Sequence, residues 1–139
     1  MPEVFIDSNV FIKIFNKEDG YEKTIESLVE IKESGWKFKI SCIVHFEILW
    51  GFELYGGDVK KYWNVIREFD IEIVPLTKED VELASKLCRS KGKIRDYFIG
   101  ATVVNRSSYL LTYNVNDFKW TERAYTPEDF VRQISLRDG

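Results

Sequence analysis

Four carboxylic acids in this sequence lie within or beside apolar segments, where a charged side chain is costly unless a partner neutralises it. They are Asp7 after the run 4–6, Glu47 inside 42–50, Asp96 before 97–104 and Asp117 shortly after 109–111. Carboxylates without histidine or cysteine partners favour hard cations such as Mg²⁺ or Mn²⁺. Such a cation binds phosphate oxygens and activates water for attack on a phosphodiester. If the four acids meet, they therefore indicate a metal-dependent site for phosphodiester chemistry.

The alternative is that these acids are separate helix caps and surface ion pairs, the commoner role of any single acid. Glu47 argues most strongly for a shared site. On a helix it has Ile43, Trp50, Gly51 and Leu54 on its own face. A glutamate on such a packed stripe needs compensation, which a bound cation would supply.

Five basic residues stand in one acid-free run immediately before Asp96. We call this set the basic run: Lys86, Arg89, Lys91, Lys93 and Arg95. A basic rim beside an acidic centre suits a polyanion, and the basic run would guide an RNA backbone. A solvated helix end and loop would explain the run equally well. The net charge of −3 argues weakly against a purely electrostatic nucleic-acid binder.

The elements that must position these residues alternate between short strands and helices, which predicts an α/β fold with a mostly parallel sheet. We expect strands at 4–6, 38–41, 71–74 and 109–112 and helices at 9–15, 21–33, about 42–54, 58–66, 77–90, from 96 and from 126. Sites in such sheets form beyond the carboxyl ends of the strands, so the four acids could converge there. No linker or repeat divides the 139 residues, so we expect one domain spanning 1–139.

Composition narrows the class of protein. The hydrophobic share of 45% indicates a folded chain, and no apolar stretch approaches the ~20 residues of a membrane helix. Cys42 and Cys88 lack the spacing of a zinc or redox motif. With no segment resembling a secretion signal, we expect a cytoplasmic protein with reduced thiols and no membrane partner.

Four segments, in order along the chain, resemble the motifs of PIN-domain ribonucleases, especially the toxins of VapC-type toxin–antitoxin pairs. Segment 5–10, FIDSNV, resembles the opening strand motif, and ISCIVHFEILWG at 40–51 resembles the Ser-x5-Glu-x3-Gly helix. DYFIGAT at 96–102 resembles Asp-x-x-Ile-Ala-Ala, with Gly100 replacing an alanine in close helix packing. LTYNVNDF at 111–118 resembles Thr-x-Asn-x-x-Asp-Phe, and YTPEDF at 125–130 matches a common opening of the last helix.

This resemblance implies a three-layer α/β/α domain and a metal-dependent endoribonuclease. It implies that Asp7, Glu47, Asp96 and Asp117 are catalytic and bind Mg²⁺ or Mn²⁺, directly or through water. Ser8 and Asn114 would be polar helpers, and whether Asn114 or Asp117 lies closer to the metal stays open. The implied partners are an RNA substrate, a cognate antitoxin and a second copy of the chain.

Two further residues could be taken for functional groups. His45, the single histidine, is two positions from Glu47 and should face elsewhere on a helix, so we interpret it as packing or surface. Trp120, beside Asp117, is a candidate for stacking on RNA bases. The competing functions are an RNA-processing PIN nuclease without an antitoxin, a non-catalytic RNA-binding regulatory module on the same fold, and a DNA-directed nuclease.

Overall fold

A five-stranded parallel sheet forms the centre of the molecule, with strand order β3-β2-β1-β4-β5. The computed structural model describes residues 2–138, and side chains as far as residue 136. The end residues 1 and 139 of the expected domain lie outside the described residues. The strands are β1 (Glu3–Ile6), β2 (Lys37–Ser41), β3 (Glu72–Val74), β4 (Tyr109–Leu111) and β5 (Ala124–Tyr125). The predicted α/β class with a parallel sheet is confirmed.

Helices flank this sheet. They are α1 (Ser8–Phe15), α2 (Tyr21–Glu33), α3 (Cys42–Tyr55), α4 (Lys60–Glu68), α5 (Lys78–Leu87), α6 (Ile94–Asn105) and α7 (Pro127–Asp138), with 3-10 helices at Lys91–Lys93 and Val115–Thr121. The chain moves from β1 through β2 to β3, then returns past β1 to β4. Because parallel crossovers are right-handed, the two directions place helices on opposite faces. This gives the three-layer α/β/α arrangement, with α2 packed on α1 and α7, and α5 packed on α6.

The central strand explains why the core holds together. Val4, Phe5 and Ile6 are all essentially inaccessible to solvent. A strand with a helical layer on both faces buries successive side chains, so β1 is a continuous apolar run and does not alternate with polar residues. Phe38 and Ile40 of β2 and Leu110 and Leu111 of β4 extend this core to both sides.

The structure corrects the sequence predictions at several elements. Helix α5 ends at Leu87, before the expected Ser90, because Cys88 has extended backbone and the chain enters a 3-10 turn. The two-residue strand β5 was not predicted. On α3, Val44 and Ile48 face the core, whereas Trp50 and Leu54 are about half exposed. The expectation that Glu47 shares a buried stripe with Trp50 and Leu54 is therefore wrong.

Within residues 2–138, no helix has both the length and the apolar character needed to cross a membrane.

Candidate functional site

Asp7 is held rigidly at the carboxyl end of β1. The register pairs Ile6 with Leu111, and the Asp7 amide donates to the Leu111 carbonyl at 2.9 Å. Its fully buried side chain caps α1, accepting from the Ser8 amide at 2.8 Å through Oδ1. Its other oxygen, Oδ2, accepts from the Thr112 hydroxyl at 2.9 Å. Asn9 donates to the Thr112 hydroxyl oxygen at 3.1 Å, so neighbouring side chains fix both ends of the carboxylate.

Glu47 reaches the same edge of the sheet from α3. That helix starts directly after β2, where the Ser41 hydroxyl accepts from the Ile43 amide at 3.1 Å and caps the first turn. The Glu47 side chain is partly exposed, yet its Oε1 atom is buried and has no hydrogen-bond partner within residues 2–138. A buried carboxylate oxygen without a donor is costly. The structure thus leaves an unsatisfied acceptor at this edge.

Asp96 completes the cluster from the first turn of α6. It is mostly buried, and α6 contacts α3 beside it. Three carboxylates therefore come from three different elements, and we call Asp7, Glu47 and Asp96 the acidic cluster.

A single arginine binds all three members of the acidic cluster. The Arg95 guanidinium donates from Nη2 to Asp7 Oδ1 at 2.6 Å and from Nη1 to Asp96 Oδ1 at 2.8 Å. Its Nε donates to Glu47 Oε2, and Nη2 also donates to the Ser8 hydroxyl oxygen at 2.8 Å. The three carboxylates consequently lie around one cationic group.

The electrostatics of this group are one-sided. Three carboxylates face one guanidinium, a formal excess of two negative charges. Burial alone would lower the pKa of Arg95, but hydrogen bonding to Glu47 and the charge of Asp7 outweigh it and raise that pKa. The arginine stays charged, and the remaining excess of negative charge favours a cation of higher charge.

Asp117 occupies the rim of the site. Its Oδ1 pairs with the Lys93 ammonium at 2.9 Å, and this hydrogen bond raises the pKa of Lys93. Asn114 donates through its backbone amide to the Thr112 hydroxyl oxygen at 3.0 Å, while its side chain is exposed. The structure thus brings Asp7, Glu47 and Asp96 together on one group and holds Asp117 and Asn114 beside them through other contacts.

The donor set suits a hard divalent cation, since the side chains around the guanidinium present carboxylate and hydroxyl oxygens. Within residues 2–138, no three acid, histidine or cysteine side chains are already arranged to hold a metal ion. The guanidinium of Arg95 lies between the three carboxylates. The unpartnered Oε1 of Glu47 is a further oxygen that a cation could use. The residues therefore fit such an ion, provided that Arg95 leaves.

The other predicted residues take varied positions. His45 faces α4, with Nδ1 2.6 Å from the Tyr62 hydroxyl, and burial lowers its pKa, so its packing role is confirmed. Trp120 stacks on Tyr97 with ring centroids 4.7 Å apart and is half-buried, so its contact with RNA stays a prediction. In the basic run, Lys86, Arg89 and Lys91 are exposed, whereas Lys93 and Arg95 turn towards acids.

The sequence predictions missed three contributors to the site. Arg95 was expected on the basic rim, but its position next to Asp96 lets it enter the acidic cluster. Thr112 and Asn9 belong to the motif segments but were not predicted as site residues. Both donate hydrogen bonds to the Asp7 carboxylate. A signal for Thr112 was present, because Asp7 directly follows the predicted strand 4–6 and Thr112 is the last residue of the predicted strand 109–112.

Several solved structures have the same fold as this chain. A toxin–antitoxin complex from Klebsiella pneumoniae superposes with a TM-score of 0.67 at 20% identity, covering 89% of this chain and 97% of that one. VapBC2 from Rickettsia felis, bound to a promoter DNA fragment, superposes with a TM-score of 0.68 at 17% identity, covering 89% of this chain and 98% of that one. FitAcB from Neisseria gonorrhoeae superposes with a TM-score of 0.65 at 19% identity, covering 89% of this chain and 97% of that one. At these identities the likeness establishes the fold.

Sequence comparison identifies the family. A search of curated proteins finds no match. The family model described as the PIN domain matches residues 4–122, a range that holds the acidic cluster, Asp117, strands β2 to β4 and all of β1 except Glu3, and that ends before β5. This chain therefore belongs to the PIN domain family.

Proposed function

We propose that this protein is an endoribonuclease that depends on Mg²⁺ or Mn²⁺ and acts as the toxin of a type II toxin–antitoxin pair. The observation that carries the proposal is the convergence of Asp7, Glu47 and Asp96 on one cationic group at the carboxyl edge of the sheet. Membership of the PIN domain family supports it, because that family is generally one of nucleases.

The proposed roles follow from where each side chain lies. Asp7, Glu47 and Asp96 would hold the ion, with Asp117 contributing from the rim. When bound, a divalent ion supplies Lewis-acid activation of water and neutralises charge on a phosphate oxygen. Ser8, whose hydroxyl already meets Arg95, and Asn114 would bind polar groups of the substrate or of its hydration shell.

The substrate and partners are proposed from the surface around this site. Arg89 and Lys91 line an open groove of about 410 Å³ formed by residues 88–91 and 94, and Lys86 is exposed on the last turn of α5. These three side chains would bind the RNA backbone. One of the similar solved structures is described as a toxin–antitoxin complex, which supports a cognate antitoxin as partner. The free thiols of Cys42 and Cys88 agree with the proposed cytoplasmic location.

The test is cleavage of defined RNAs with Mg²⁺ or Mn²⁺, comparing Glu47→Gln with Glu53→Gln. Both substitutions remove one negative charge from α3 without changing side-chain size, but Glu53 is exposed on the last turns of the helix. We expect Glu47→Gln to lower the rate of cleavage about 100-fold or more. Loss of a residue that only supports a metal ligand costs about 10–100-fold, and loss of a ligand itself should cost at least the upper end of that range. Glu53→Gln should cleave at the wild-type rate.

Three results would redirect the proposal. Wild-type protein that binds RNA but does not cut it with either metal would favour the regulatory module. Faster cleavage of a matched DNA would make it a DNA nuclease. Cleavage in cells that leaves growth unaffected, whether or not a small neighbouring protein is co-expressed, would favour an RNA-processing enzyme.

A further inference from the structure

The guanidinium of Arg95 already uses the oxygens that a metal ion would need. Its nitrogens lie 2.6 Å from Asp7 Oδ1 and 2.8 Å from Asp96 Oδ1, and Nε bonds Glu47 Oε2. A Mg²⁺ ion would require carboxylate oxygens at about 2.0–2.1 Å. An ion placed between the three carboxylates would overlap the guanidinium that now fills this space, and the two cations would repel each other.

We propose that Arg95 is a tethered counterion that competes with the divalent cation for the acidic cluster. This inference rests on the proposed function, since it concerns the same metal site. The site has two alternative occupants. Without metal, Arg95 closes the cluster, and metal binding releases the arginine towards solvent.

The charges and exposure of the residues favour such an exchange. One guanidinium leaves a formal excess of two negative charges on the cluster, whereas a divalent ion neutralises twice as much. The Arg95 side chain is 31% exposed, so it has a direct way out to water. It lies on the first turn of α6, one residue from Asp96, and stays beside the site after release.

After release from the acidic cluster, Arg95 could bind a phosphate of an RNA substrate. Outside the cluster, Arg95 would join Lys91 and Lys93 at the start of α6, next to the groove along residues 88–94. A planar guanidinium binds a phosphate through two parallel hydrogen bonds. RNA and metal would therefore favour the same position of the arginine.

The sign of one measurement separates this role from a structural one. If Arg95 simply held the carboxylates in place, its removal would loosen them and weaken metal binding. If Arg95 competes with the metal, its removal must tighten metal binding.

The experiment is calorimetric titration with Mn²⁺ of wild type, Arg95→Met, Arg95→Lys and Arg89→Met. Couplings between two bound groups are usually about 5–150-fold, so we expect Arg95→Met to lower the Mn²⁺ Kd about tenfold or more. Arg95→Lys keeps the charge but loses the three-way contact, so its Kd should fall between wild type and Arg95→Met. Arg89→Met removes an equal charge from the same run, where Arg89 donates to the Cys88 carbonyl, and should change Kd by less than about twofold.

Thermal unfolding in EDTA and in Mn²⁺ gives a second readout. Arg95→Met should unfold at a lower temperature than wild type in EDTA, because its carboxylates lose their counterion, and should gain more from Mn²⁺. If Arg95→Met does not fold, the Mn²⁺ Kd of Arg95→Lys, compared with that of wild type, tests the competition. Asp7→Asn added to the tighter variant should abolish binding and assign it to this site.

Each remaining outcome overturns a specific claim. Unchanged or weaker Mn²⁺ binding in both Arg95 variants, with cooperative unfolding, rules out competition and leaves the nuclease proposal intact. An equal gain in Arg89→Met reduces the effect to general electrostatics and also removes the competition. Absence of Mn²⁺ binding in wild type and in both Arg95 variants refutes the metal site itself.

Discussion

The partner of each buried acid separates a structural role from a candidate functional one. Asp80 is almost fully buried, yet it accepts hydrogen bonds from the Thr77 amide, the Thr102 hydroxyl and the Asn105 amide group. Neutral hydrogen-bond donors satisfy both oxygens of the Asp80 carboxylate, so it requires no cation. Asp7 also receives neutral donors, but in addition it shares a guanidinium with two further carboxylates. Burial alone would not have distinguished these two aspartates.

The Asp80 carboxylate should make the stability of the fold dependent on pH. Burial alone would raise its pKa, but hydrogen bonds from Asn105, Thr77 and Thr102 outweigh burial and hold the pKa below 3.8. A depressed pKa stabilises the folded state above the unfolded-state value and loses that effect as pH falls through the folded value. We expect Asp80→Asn to lower the free energy of unfolding by about 1–3 kcal/mol at neutral pH, since an amide cannot accept all these bonds.

Urea denaturation from about pH 7 to about pH 3 would measure this difference between wild type and Asp80→Asn. The difference should shrink at the acid end of the range. Asp129→Asn, on the exposed surface of α7, is the control and should be nearly neutral throughout. A difference between wild type and Asp80→Asn that stays constant down to the lowest pH would contradict the role of ionised Asp80.

At the scale of elements, α6 depends on close contact with the 3-10 helix that carries Asp117. A Cβ atom built on Gly100 would lie 2.3 Å and 2.7 Å from two ring carbons of Trp120. Trp120 in turn stacks on Tyr97 of α6, so the indole lies against the helix where an alanine would leave no room. The glycine expected to permit close packing does so, and its partner is Trp120.

We expect Gly100→Ala to destabilise the protein by about 1–3 kcal/mol, although alanine is the better helix former, because the methyl group overpacks the junction. Chemical denaturation would measure the change. The matched control is Gly51→Ala on α3, where an added Cβ meets no atom of the described residues within 4 Å. This substitution should stabilise the protein by up to about 1 kcal/mol. A smaller cost of Gly100→Ala in a Trp120→Phe background would identify the clash. Equal costs in both backgrounds would exclude it.

Local sequence signals predicted elements well where they were complete within a few residues. Helix α2 runs over the expected 21–33 and stops before Gly35, which has φ of +92°. Helix α5 begins next to the expected position 77, where Thr77 and Asp80 form a capping box. Strand β5 escaped prediction because two residues carry no period, and only pairing with β4 makes them a strand.

At the scale of the whole molecule, one side of α3 is apolar and exposed. Phe46, Trp50 and Leu54 follow one another at four-residue intervals and are each more than half exposed, and Phe46 stacks on Trp50. We call these three residues the α3 stripe. A contiguous apolar surface of this kind is typical of an interaction site. The homodimer expected from the sequence stays a prediction, and the α3 stripe is the surface we assign to it.

Substitution of Trp50 tests that assignment. We expect wild type to sediment as a dimer and Trp50→Glu as a monomer, because a charge buried in an apolar interface has no partner. Leu136→Glu introduces the same charge at an exposed leucine on α7, away from the α3 stripe, and should remain dimeric. Analytical ultracentrifugation across a range of concentrations gives the result. A wild type that is monomeric throughout would remove the dimer, and a dimeric Trp50→Glu would move it to another surface.

Sequence patterns predicted the class of fold and most helix bounds and indicated which acids could meet, because periodicity, caps and strand-end acids are properties of short segments. How these acids are neutralised depends on the tertiary structure. It placed Arg95 between Asp7, Glu47 and Asp96, set Asp117 with Lys93 at the rim, and turned Trp50 outward. These outcomes depend on distances between residues as much as 24 to 88 positions apart, and on which face of a helix meets a neighbour. No local pattern contains that information, since it arises only when the sheet brings its strand ends together.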